Sequence, residues 1–104
     1  MYQLITLSAG NNLLRRKIVH QIGGLYPIKY NDKLVTSVFI YKDEYLGYVV
    51  TELLTGDMVV KKKLLREARE AIKQLQHEVS TGILDIQKYI TRRLDWQSTK
   101  SWID

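Results

Sequence analysis

Six basic side chains, Lys61, Lys62, Lys63, Arg66, Arg69 and Lys73, fall within thirteen positions that hold only two acidic residues, Glu67 and Glu70. Such a run can bind anions. On a helix, at 100° per residue, Lys62, Arg66, Arg69 and Lys73 occupy one narrow band, while Glu67, Glu70 and Glu78 lie further round. Lys62 with Arg66 and Arg69 with Lys73 are like-charge i,i+4 pairs, each costing an isolated helix about 0.2–0.5 kcal/mol, a repulsion that an external anion relieves. The lysine triplet stands at or just before the N-terminal end of that helix, where the dipole favours anions over cations. Nucleic-acid phosphate is the first ligand these features suggest, an acidic protein the alternative, and a solvated charged face the ordinary explanation. Arg15, Arg16 and Lys17 form a second basic cluster, able either to extend this surface or to lie opposite it.

Catalytic chemistry finds little to build on. The chain has no cysteine, which excludes disulfides, thiolate metal sites and cysteine nucleophiles. His20 and His77 stand far apart, without metal-ligand spacing to each other or to a carboxylate. Asp43-Glu44 reads as a solvated turn and the glycine pairs as chain punctuation, not as a phosphate-binding loop. No nucleophile and base can be assembled, so the expectation is a non-enzymatic protein with no metal and no cofactor. A helix-turn-helix around Gly82 fails because Glu78 and Lys88 fall where small or buried residues belong. Tyr41, Tyr45 and Tyr48 suit cross-strand packing, with base stacking as the alternative. Trp96 and Trp102, in a polar segment, either fold back on the core or anchor a partner.

The elements that must position these residues read as follows. Tyr2 to Leu7 alternates as a strand, and Leu14, Ile18 and Ile22 after Asn11-Asn12 predict a short helix over 12–22, ended by Gly23-Gly24. The alternative is a second strand joined through Ala9-Gly10-Asn11-Asn12, which β-branched Ile18, Val19 and Ile22 favour. Pro27 suits an edge strand or connector. Residues 34–42 and 45–54 predict a hairpin, and Thr55-Gly56-Asp57 turns the chain into 58–60, a last short strand or the lead-in to the long helix. Both faces of 34–42 are apolar, which predicts cover on each side or completion in a homodimer. Leu65, Ala68, Ile72, Leu75, Val79, Ile83, Ile86, Ile90 and Leu94 recur every three or four residues, predicting one helix through Ser80-Thr81-Gly82, or else a helical hairpin broken there.

With 104 residues, 45% apolar and 26% charged, the chain reads as a single domain, 1–104, with 95–104 as a C-terminal tail. The predicted fold is α+β: a small antiparallel sheet of three to five strands, a short early helix, and a long C-terminal helix packed on one face. Nothing resembles a signal peptide or membrane span, so the expected location is cytoplasmic with no membrane partner. The net charge of +5 is carried at the two ends around an acidic centre. The functional expectation is a small basic protein associating with nucleic acid through the stripe. The alternative is a protein–protein interaction module, an inhibitor or adaptor, that grips an acidic partner with the stripe and the tail tryptophans.

Overall fold

The computed structural model describes residues 1–103. It contains six strands and two helices: β1 Tyr2–Gly10, β2 Leu13–Tyr30, β3 Lys33–Asp43, β4 Gly47–Glu52, β5 Met58–Lys62, α1 Leu65–Ser80, α2 Ile86–Ser98 and β6 Ser101–Ile103. The first five run antiparallel in the order β1-β2-β3-β4-β5, and β6 pairs with β2 in parallel. This corrects the expected architecture of three to five strands, a short early helix and one long C-terminal helix.

No helix forms over 12–22. Leu14, Ile18 and Ile22 are four apart, a spacing shared by a helix turn and by one face of a strand, so it does not separate the two periods. The β-branched residues between them, and a hairpin turn in which Asn12 takes a left-handed φ of 61°, resolve the segment as strand. The long helix is also absent as one piece. Thr81 caps α1 by donating its hydroxyl to His77 O at 2.9 Å, and Asp85 opens α2 by accepting from the Lys88 amide at 3.0 Å. The apolar stripe crosses this break in phase, yet Ile83, within the break, is 75% exposed. The stripe residues on either side still reach a common core.

β2 is long enough to serve two layers. Its first half pairs with β1 and its second half with β3. Within the second half, three residues of β2, Gly23 to Leu25, stand opposite the single Phe39, and the ladder shifts there. The strand β3 is covered on both sides. Val38 and Ile40 pack with Ile28 and Val50 under Ala68, Ile72, Leu75 and Val79 of α1 and Ile86 and Ile90 of α2. Phe39 and Tyr41 pack with Val49 against Ile5 and Val19, brought over by the β1–β2 hairpin. Leu34 is exposed, and Val35 packs against the helix-side core. Because the same chain covers Phe39 and Tyr41, this strand leaves no open face that a second subunit would need to bury.

The β4–β5 turn ties the layers together. The Thr6 amide donates to Gly56 O at 2.9 Å and the Thr6 hydroxyl to Thr55 O at 2.8 Å. Fully buried Glu52 organises the turn, its carboxylate accepting from the Thr36 hydroxyl at 2.5 Å and from the Leu54 and Thr55 amides at 2.8 and 2.7 Å. A buried carboxylate survives only with such partners.

Candidate anion-binding surface

The six-residue stripe straddles two elements. Lys61 and Lys62 belong to β5, Lys63 follows it, and Arg66, Arg69 and Lys73 lie on α1. Successive strand residues point to opposite faces, so the lysine triplet is not one patch. Lys61 pairs with Val49 on the face away from the helices, whereas Lys62 pairs with Tyr48 on the helix side.

Lys42 is the cross-strand partner of Tyr48 from β3, with its ammonium 5.5 Å from the ring centroid. Lys42, Tyr48 and Lys62 thus form a row across three strands, an aromatic ring between two cations. This row follows from the β3–β4 connection, in which Asp43 pairs with Gly47 around a three-residue loop. Gly47 is required there. Its φ is 82°, and a Cβ would lie 2.6 Å from Lys62 O, so the turn packs directly on the backbone that carries the lysines. A two-residue turn at Asp43-Glu44 would have placed Lys42 opposite Tyr45, which is why the row is not evident in the sequence.

An open groove of about 710 Å³ runs between β5 and α1, with Lys62 and Arg66 at its basic end and Glu67, Glu70 and Glu78 along its acidic wall. Glu67 is engaged at the start of α1, where its carboxylate accepts from the Leu64 amide at 3.2 Å. Lys73 pairs with Glu70 at 3.4 Å, both exposed, a contact worth about 0–1 kcal/mol. Among the described residues the other five stripe cations have no carboxylate within 4.0 Å.

The second cluster divides. Lys17 lies close enough to Asp43 to help hold its carboxyl below the usual range, an effect due first to the Tyr45 and Leu46 amides that donate to it. Lys17 therefore stands near the turn that abuts Lys62 and Lys63. Arg16 points to the other face of β2 and stacks 4.3 Å from the Trp102 ring centroid. Arg15 pairs with Leu7 and Ile103.

The segment expected as a tail is structured through residue 103. Trp96 lies in α2, with the Arg93 guanidinium 4.2 Å and the Lys100 ammonium 4.5 Å from its ring centroid. Trp102 is the middle residue of β6, beside buried Leu14. Trp96 and Trp102 are 40% and 37% exposed, so neither is a core residue. Buried Gln97 donates to Thr55 O at 3.0 Å, and Arg93 bonds Asp57 at 2.6 Å, fixing α2 to the β4–β5 turn. That bond raises the Arg93 pKa, and burial with the nearby Asp57 carboxylate raises that of Tyr89.

Among the described residues no cluster of three or more His, Asp or Glu side chains is arranged to hold a metal. No helix among them is long and apolar enough to cross a membrane. No family model, curated protein or solved structure matches the chain.

Proposed function

We propose that this protein is a non-catalytic binding protein that engages nucleic-acid phosphates at the basic end of the β5–α1 surface. Lys42, Lys62 and Arg66 form the centre of the contact and Tyr48 offers a ring between the cations. Lys63, Arg69, Lys73 and Lys17 extend it, whereas Lys61 on the opposite sheet face and Arg15 and Arg16 beside β6 are not part of its centre. The observation that carries the reading is the cross-strand row of Lys42, Tyr48 and Lys62, joined to stripe cations without carboxylate partners among the described residues. Aromatic rings between unpaired cations suit a polyanion with bases to stack.

The test is titration of labelled single- and double-stranded DNA and RNA at two salt concentrations. Neutralising roughly four to six phosphates gives a slope of log affinity against log salt of about −3 to −5, and Lys62→Glu with Arg66→Glu flattens it by about two. Absence of binding to every nucleic acid at low salt rejects the reading. The acidic-protein alternative then takes its place, with half-exposed Trp96 and Trp102 as its anchors.

A further inference from the structure

The sheet's free edges are not treated alike. The outer edge of β5 carries Lys61 and Lys62, and β6 is only three residues long. The second half of β2 is guarded three ways: by the irregularity at Gly23 to Leu25, by Pro27, and by the Gln76 amide, which bonds both the N–H and the carbonyl of Lys29 at 2.8 Å. Bulges, prolines, lysines and short strands are the devices that keep edges from pairing with other chains. The β1 edge has no proline and no lysine, and its one irregularity, between Ser8 and Gly10, lies beyond the stretch from Tyr2 to Leu4. No charged residue and no proline occurs before Arg15.

The orientation of this edge follows from two hydrogen bonds. The Gln21 amide donates to Met1 O at 2.9 Å, so odd-numbered residues of β1 turn their backbone groups towards β2. The Thr6 amide donates to Gly56 O, so even-numbered residues turn theirs outward. Tyr2 and Leu4 therefore present an outward N–H and C=O, for which the described residues supply no partner. Their side chains are 69% and 49% exposed, and Ile18, the cross-strand partner of Leu4, is 66% exposed.

We propose that the β1 edge pairs antiparallel with the β1 edge of a second copy, about a two-fold axis through Gln3. Tyr2 then faces Leu4 of the second copy, and each such pair exchanges two backbone hydrogen bonds. A strand that adds here must be uncharged and must alternate apolar residues on the exposed side, and β1 itself meets both conditions. Although the chain carries +5 overall, the paired segments bring no charged side chain to the seam. So short a seam buries less than the roughly 1,200 Å² of a standard interface, which sets the dimer in the micromolar range or weaker. This surface is separate from the basic end of the β5–α1 face and does not depend on anion binding.

Sedimentation velocity of the full chain from about 1 to about 300 μM is expected to show a reversible shift from one chain to two. Tyr2→Lys and Leu4→Lys, each checked for folding by circular dichroism, should remove the shift, while Leu34→Lys on β3 should leave it. Tyr2→Lys decides the matter if Leu4→Lys fails to fold, because the Tyr2 side chain lies mostly in solvent. Slower amide exchange at Tyr2 and Leu4 with rising concentration is the expected local signature. A single-chain mass at the highest concentration overturns the proposal and leaves the edge for an extended peptide of another protein. A dimer that persists in both folded lysine variants overturns it equally.

Discussion

The two faces of β3 are both dry, but they are closed by different means. On the helix side, Val38 and Ile40 meet α1 and α2, whose apolar faces are set by the spacing within each helix. On the other side, Phe39 and Tyr41 meet Ile5 and Val19, which arrive only because β2 changes register at Gly23 to Leu25 and β1 is fastened to the Gly56 turn. One core is assembled from local amphipathic patterns and the other from a shifted ladder and one long-range turn contact. The second is smaller and has fewer independent supports, so it is the side expected to open first.

Truncating either core tests this comparison most strongly. Phe39→Ala should cost about 3–5 kcal/mol and Leu75→Ala about 2–5 kcal/mol in urea unfolding, both large fractions of a small domain's stability. If Phe39→Ala costs less than about 1 kcal/mol, the hairpin side is not a core in the same sense. Native-state hydrogen exchange on the unmodified chain sharpens the point: β1 amides should exchange through a lower-energy opening than those of α1. Equal opening energies would show that the two layers unfold as one.

A smaller effect is expected from Gly56→Ala. Its φ of 71° disfavours any side chain, and a Cβ would lie 2.6 Å from Thr6 Oγ1 and 2.9 Å from Thr6 N. The substitution should lower stability by about 1–3 kcal/mol and raise exchange in β1 before it does so in the helices. A variant as stable as the parent would mean that the turn does not hold the hairpin in place.

The smallest difference is in alkaline titration. Burial, with Asp43 nearby, raises the Tyr41 pKa on the hairpin side, and burial with Asp57 nearby raises that of Tyr89 on α2. Below the ordinary phenol value of 10 both are neutral in folded and unfolded chains, and the full stability is present. As pH rises above 10 the unfolded chain ionises first, so stability falls towards the raised folded values. Phenolate absorbance combined with thermal melts above pH 10 checks this, and Tyr41→Phe should reduce the loss. Stability that is flat with alkaline pH would show that neither phenol is held neutral by the fold.

Several features were legible in the residues themselves. The strand near Tyr2, the two-sided apolar pattern of 34–42, the turn at Thr55-Gly56-Asp57 and the basic run at 61–73 depend on short-range periodicity, turn chemistry or composition, and these operate over a few neighbours. Glycine at position 56 and proline at position 27 likewise carry local meaning that the fold uses. The segment 12–22 was ambiguous because four-residue spacing satisfies both helix and strand, and only its pairing with β1, β3 and β6 selects the strand. The break at Thr81 to Asp85 was ambiguous for a related reason: two helices packed on one core keep the phase of one continuous helix. Register, handed down from a three-residue loop, set Lys42 beside Tyr48 and Lys62, divided Lys61 from Lys62, and brought Lys17 near Asp43. Side-chain chemistry and local period are properties of the chain alone, whereas the neighbours a strand residue acquires are set by long-range pairing, in which a shift of one residue reverses every face.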